Sequence, residues 1–237
     1  VAALRQNSLR PSAMIPIGIS EEFAKAGVRV ALGCIACAVA VAEGHPALAA
    51  ALDAEVARRT AELAERPVSE VPEIAAARWA YRAFGKDPAR YRVSSEALMR
   101  RLVKGQGIHR INTAVDTNTL VSLRTGHSVG MFDADRLAPP LAFRRAGPGE
   151  TYDAIGRGPM NLEALPVLAD AQGPFGSPTS DSERSKVMLT TTRLFMTIIA
   201  FGGDAGLEAS LAWAAGALET YCAAREVETA VVANHAR

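Results

Sequence analysis

Four stretches of this 237-residue chain bring chemistry-bearing side chains close together. Gly126-His127-Ser128-Val129-Gly130 has G-x-S-x-G spacing. In a nucleophile elbow the two glycines permit a strained strand-to-helix turn that exposes the serine. Residues 120–125 before it read as β-prone, but residues 131–135 lead to Pro139-Pro140 rather than to a long helix. The downstream histidine is His235, and no oxyanion-type segment is present. A turn between strands is the favoured reading, and a serine hydrolase with Ser128 as nucleophile is an alternative.

The second stretch, residues 173–184, packs hydroxyls and the carboxylates Asp181 and Glu183 between Gly and Pro residues. It reads locally as a turn followed by a capping box, Ser180 with Glu183. The same groups suit a polar ligand or a positioned water. The third, Ile111-Asn112-Thr113-Ala114-Val115-Asp116-Thr117-Asn118, interleaves carboxamides and an acid with apolar side chains. Such groups are costly in a core unless paired, so they mark a site or a buried network. The fourth, Cys34-Ile35-Ala36-Cys37, has CxxC spacing inside an apolar, strand-like run. An offset of three on a strand sends the thiols to opposite faces, so both are expected to be buried structural cysteines. The four histidines never fall at i, i+4 spacing, and no glycine run leads into G-K-[ST]. No metal, nucleotide or other cofactor is expected.

Elements must position these groups. A short helix with Ser20 as N-cap precedes a strand within 28–41, and helices are expected over 46–65, 73–84 and 96–104, the last capped by Ser94 or Ser95. From Ile108 the β-branched content rises, which favours strand. Residues 138–180 are rich in Gly and Pro and read as short strands between turns. Residues 186–201 read as one or two strands, and 207–223 as an amphipathic helix. Helices dominate the first half and strands the second, so the expected fold is α+β, with layered sheets and packed helices. Residues 14–237 read as one domain behind a poorly ordered leader, 1–13.

Composition bounds the rest. Hydrophobic residues make up 49% and charged residues 22%, the proportions of a globular chain with a core. Aromatics are only 5%, so that core is expected to be mostly aliphatic. The longest apolar run, 30–42, is too short for a membrane span, so a cytoplasmic protein without a membrane partner is expected. The net charge of +1 excludes a polyanion-coating protein but hides an uneven distribution. Residues 78–145 carry 13 Lys/Arg against 5 Asp/Glu; residues 1–77 carry 7 against 9, and residues 146–237 carry 6 against 11. A basic middle segment suits an anionic partner if its cations share a face. Only four aromatics lie near those cations (Trp79, Tyr81, Phe84, Tyr91), few for a stacking platform.

The ordered set Ile111-Asn112, Val115-Asp116, Phe132-Asp133 and Leu168-Ala169-Asp170 with Gly173-Pro174, followed by an acidic hydroxyl-bearing loop and Val187-Met188-Leu189, resembles a known family. It is similar to the editing region (B-three/B-four) of the bacterial phenylalanyl-tRNA synthetase beta chain, over about residues 80–220. The resemblance implies a layered α+β fold with a central pocket that hydrolyses a mischarged aminoacyl ester, acting as a freestanding module. Carried over residue by residue, Asn112 and Asp116 fall on the motif's Asn and Asp, Phe132 and Asp133 on its Phe-Asp, and Asp181 and Glu183 in its acidic loop. With it, His127, Asp181 and Glu183 are the expected catalytic residues, and Asn112, Asp116, Asn118 and Ser180 the expected substrate contacts. Arg100, Arg101, Lys104 and Arg110 would then contact tRNA or aminoacyl-tRNA. The sequence departs from the family at Gly130, where the motif has histidine, at His127, where it has glutamine, and at Asn118-Thr119, where the order is reversed. Loss of that histidine leaves a second reading open, a non-catalytic pocket for a free amino acid or related metabolite.

Overall fold

The computed structural model describes residues 14–234, so the expected leader and His235 lie outside the described residues. β1 (Ile17–Ile19), α1 (Glu22–Lys25) and β2 (Val30–Ala38) come first. Three helices follow: α2 (Pro46–Ala64), α3 (Pro72–Ala83) and α4 (Ser94–Val103). Next are α5 (Thr113–Thr125), β3 (Ser128–Asp133), β4 (Leu141–Arg145), β5 (Thr151–Ala154) and β6 (Gly158–Asn161). The chain continues with β7 (Pro166–Asp170), β8 (Gly173–Gly176), β9 (Arg193–Phe201), α6 (Leu207–Cys222) and β10 (Arg225–Ala233). One sheet runs β1-β4-β7-β8, a second β10-β2-β9-β3, and β5 and β6 form a separate hairpin. The expected α+β architecture is therefore present.

In the second sheet β2, β3 and β9 are buried on both faces while β10 is not, and strand periodicity shows how. In β2, Val30, Leu32 and Cys34 enter one core, whereas Ala31, Ile35 and Cys37 enter another. β9 alternates likewise, with Phe195, Ile199 and Phe201 on the first side and Leu194, Met196 and Ile198 on the second. The two thiols thus lie on opposite faces, and burial pushes each up to about 12. The first core lies between the two sheets; α6 and α5 cover the second. Composition alone understated the aromatic share of the interior. All seven phenylalanines belong to the first core, where Phe23 stacks on Phe143 at 4.8 Å.

Residues 113–125 correct the expected strand: they form α5. Local β-propensity loses to caps and packing. The Asn112 side chain accepts from Val115 N at 2.9 Å, and Gly126 ends the helix in the left-handed region at φ 79°. Arg59 of α2 donates to the Leu123 and Arg124 carbonyls at that end, where a cation also complements the helix dipole. The hydroxyls of Thr119 and Thr125 bond back to the carbonyls four residues earlier.

Smaller differences concern caps. At the start of α1 Ser20 Oγ accepts from the Glu22 amide at 3.3 Å, as expected of a cap, whereas α4 starts after Val93 without a side-chain cap and Ser94 and Ser95 lie inside it. No capping box forms at Ser180 and Glu183: the short helical turn Glu183–Ser185 follows Ser182, again without a side-chain cap. β10 has no expected counterpart.

α4 is anchored by a fully buried carboxylate. Glu96 meets Arg78 of α3 at 2.9 Å, Arg100 at 2.8 Å and Arg92 at 3.7 Å. Removing one partner from a buried ion cluster leaves charge uncompensated and costs about 3–5 kcal/mol. Glu96→Ala is therefore expected to lower the unfolding free energy by about 3 kcal/mol, read from the urea midpoint at an unchanged slope, with Glu96→Gln losing less.

Candidate functional site

A cleft of about 230 Å³ opens where four elements meet. α4 supplies Ser94 and Leu98, α5 supplies Asn118 and Ser122, β3 supplies Val129, and the loop after β8 supplies Ser177, Thr179, Ser180 and Asp181. The sequence singled out three of these segments, 111–118, 126–130 and 173–184, and the fold brings Asn118, Val129 and residues 177–181 together.

The 177–181 loop is held from several directions. Ser177 Oγ accepts from the amides of Thr179 (3.3 Å) and Ser180 (3.1 Å) and lies 2.8 Å from the Ser180 carbonyl. The Tyr152 hydroxyl lies 2.9 Å from Ser177 Oγ and 2.5 Å from the Ser180 carbonyl. Tyr81 OH pairs with Thr179 Oγ1 at 2.9 Å. The Ser94 amide donates to the Pro178 carbonyl at 2.7 Å, which docks the start of α4 on the loop. Burial raises both phenols, so these tyrosines stay protonated donors at neutral pH.

Asp181 is the chemically distinctive group. Its backbone bridges Gly176, and its carbonyl accepts from Ile155 N at 3.0 Å. Burial pushes its carboxyl up to about 8, opposed only in part by the backbone N–H groups of Met131 and Ser177. Oδ1 is buried without a hydrogen-bond donor. Asn118 has a similar deficit: its Nδ2 donates to the Val129 carbonyl at 3.1 Å, while its Oδ1 is buried without a donor. Two residues lining one cleft therefore each hold a buried oxygen that lacks a donor, a deficit that an incoming donor group would relieve.

Other expected site residues lie elsewhere. Asn112 caps α5, and Asp116 accepts from Ile111 N at 3.0 Å; both build the start of the helix rather than the cleft. His127 does not line the cleft. Burial holds its imidazole below the ordinary range against the opposing effect of Glu73, and its carbonyl accepts from Ser122 Oγ at 2.7 Å. Glu183 bonds Lys186 and the Gly156 amide at the rim. A convergence of His127 with Asp181 and Glu183 is not formed. The serine-hydrolase alternative also fails. Ser128 follows a helix and opens a strand, the reverse of an elbow, and its buried Oγ faces Ser95 Oγ at 3.3 Å. Sequence reasoning missed Tyr81 and Tyr152, because nothing local marks a tyrosine that secures a loop far along the chain.

The basic segment divides by partner. Arg110 pairs with Asp53 at 2.5 Å, Arg144 with Glu150 at 2.6 Å, and Arg124 lies 3.8 Å from Glu55. Arg92, Arg100, Arg101 and Lys104 share one depression at the far end of α4. On the helix Ser94, Leu98 and Arg101 fall on one stripe, so the cations begin about one turn beyond the cleft's Leu98 and two turns beyond Ser94. Of the nearby aromatics, Tyr81 and Phe84 are buried, Trp79 is half exposed, and Tyr91 is faced by Lys86 and Arg90 rather than by these cations. Among the described residues no helix is long and apolar enough to cross a membrane, and no cluster of three metal-ligating side chains forms.

Comparison with known proteins agrees with the segment singled out by sequence. Residues 76–211 match the B3/4 domain family. The chain is 34% identical over 83 residues to the phenylalanine–tRNA ligase beta subunit of Neisseria meningitidis serogroup B, covering 35% of this chain and 10% of that subunit. It is 36% identical over 103 residues to the corresponding subunit of Mycolicibacterium paratuberculosis, covering 43% of this chain and 12% of that one. The matched segments thus span about a tenth of the length of these curated relatives. A crystal structure of an N-terminal fragment of the phenylalanyl-tRNA synthetase beta-subunit from Pyrococcus horikoshii is similar with a TM-score of 0.47 at 12% identity, covering 95% of this chain and 55% of that one.

Two expectations follow from the cleft. The folded chain keeps the Asp181 proton up to about pH 8, whereas an unfolded aspartate loses it near pH 4. Stability from this group therefore falls as pH rises between those values and is level above them. Asp181→Asn is expected to stabilise the fold by about 1–3 kcal/mol near pH 9 and by little near pH 4, measured by denaturant unfolding at both. Tyr152→Phe removes the hydroxyl that holds the loop, and a loss of about 1 kcal/mol is expected in the same assay.

Proposed function

The chain belongs to the B3/4 domain family, and from that premise we propose that it binds the aminoacylated end of a tRNA and hydrolyses a mischarged ester in the cleft beside Asp181. The observation that carries this reading is the pair of buried acceptors without donors, Asn118 Oδ1 and Asp181 Oδ1, lining one polar cleft. An α-ammonium group supplies the donors these atoms lack. Leu98, Val129 and Ile155 offer apolar surface to the amino-acid side chain. Arg101 and Lys104, further along α4, receive phosphates of the strand.

Asp181 is the base in this scheme. Ionised, it takes a proton from water as the water oxygen attacks the ester carbonyl carbon. The hydroxyls of Thr179 and Ser180 are the nearby donors for the resulting oxyanion, because Ser177 already donates to the Ser180 carbonyl. Collapse of the tetrahedral intermediate breaks the bond to the ribose oxygen, which recovers the proton from Asp181. The products are a free amino acid and a tRNA with its terminal hydroxyl restored. A carboxyl pushed up to about 8 is a stronger base than an ordinary carboxylate, which suits a general base.

A binding-only pocket for a free amino acid is the second reading. It is favoured by Gly130, where the family motif carries histidine, and by the absence of a histidine from the cleft lining among the described residues.

Deacylation of a panel of mischarged tRNAs tests the first reading. Turnover is expected to rise with pH and level off above about pH 8, and Asp181→Asn should lower it by about 10²–10⁴-fold. Thermal stabilisation by free amino acids with no deacylation of any tRNA would select the second reading.

A further inference from the structure

At the far end of α4 two depressions adjoin, sharing Arg100 and Lys104 with each other and no residue with the cleft. One, of about 490 Å³, has apolar walls from Leu63, Pro67, Val68 and Val103. The other, of about 210 Å³, is lined by Arg92, Arg100, Arg101, Lys104 and Gln106. From this geometry we infer a second binding site, for a nucleotide unit whose base lies in the apolar compartment and whose phosphate lies among the cations. It rests on the same cations, Arg101 and Lys104, that the proposed function gives to tRNA phosphates, but its test reads nucleotide binding and not ester hydrolysis.

Charge supports the phosphate half. One buried carboxylate, Glu96, serves Arg78, Arg92 and Arg100 together, which leaves an excess of positive charge. Arg101 donates to the Gly107 carbonyl and lies 3.2 Å from His109 Nε2, with no carboxylate partner among the described residues. Lys104 Nζ forms no ion pair or side-chain hydrogen bond among the described residues. The carbonyls ending α4 are already taken by the amides of Lys104, Gly105 and Gln106, so the cations are not consumed there. Glu65 is the acid on the apolar wall, and neighbouring Glu62 is engaged by Arg58, Arg59 and Arg66. Planar guanidinium groups match phosphate oxygens in pairs.

The apolar half explains an otherwise unfavourable exposure. Val103 is 56% exposed beside the largely buried Leu63 and Val68. A flat base covers such a wall, and its phosphate then reaches the shared Arg100 and Lys104. The nucleotide unit is either a free mononucleotide or one residue of an RNA strand.

Titration of the full ¹⁵N-labelled chain with adenosine 5′-monophosphate, followed by amide NMR, tests the site. Shifts are expected at Val68, Ser69 and residues 100–106, with inorganic phosphate binding at least tenfold more weakly. Lys104→Glu and the surface change Val103→Glu should each weaken the nucleotide at least tenfold, with resonances elsewhere unchanged. No shift, shifts confined to the cleft, or phosphate binding as tightly as the nucleotide would overturn the inference. A short single-stranded RNA that displaces the nucleotide from these amides identifies a strand as the source; RNA that leaves it bound identifies the free nucleotide.

Discussion

The approach of the two main sheets turns on one aromatic ring. Phe132 of β3 lies against both Gly130 and Gly176, where a Cβ at either glycine would fall 2.6 Å from its Cζ. Across from it Phe175 presents an edge at 4.8 Å. Only side chains without a Cβ let β3 and β8 close on this ring, and Gly176 is the residue against which Asp181 is bridged. The acid's position, and its isolation from water, therefore follow from a packing contact in the hydrophobic core. The same contact accounts for Gly130: a larger residue there would displace the ring that locates the acid.

Much of the fold was legible because its periodicities are strong. The helices at 46–64 and 72–83 and the alternation of β2 follow from spacing alone. α5 was not legible as a helix, because its threonines and valines favour strand and its caps act through Asn112 and Gly126 only once Arg59 and the second core are in place. Of the candidate site, the 173–184 loop and Asn118 were visible as polar clusters out of place in a core. The resemblance pointed to the right segment, yet it grouped His127 and Glu183 with Asp181, and only Asp181 lines the cleft. Tyr81 and Tyr152 carry no local signal, since their role exists only after distant elements meet.

The charge pattern was sharpened in the same way. A basic block read along the chain becomes, in the fold, a set of arginines engaged by separate acids and a smaller group gathered at one end of α4. Burial of Glu96 produces that gathering: a carboxylate removed from water holds several guanidiniums close despite their mutual repulsion. α4 consequently carries hydroxyl and apolar groups toward the cleft at its start and cations at its end.

The central position of β2 has a further consequence, for the order in which the molecule assembles. Its partners on the two sides, β9 and β10, begin at Arg193 and Arg225. A nascent chain therefore exposes a long apolar strand well before either partner has been synthesised, and pairing must close a very large loop. During that interval β2 is the segment most open to association with other chains. Both cores depend on it, so neither can mature far ahead of the other.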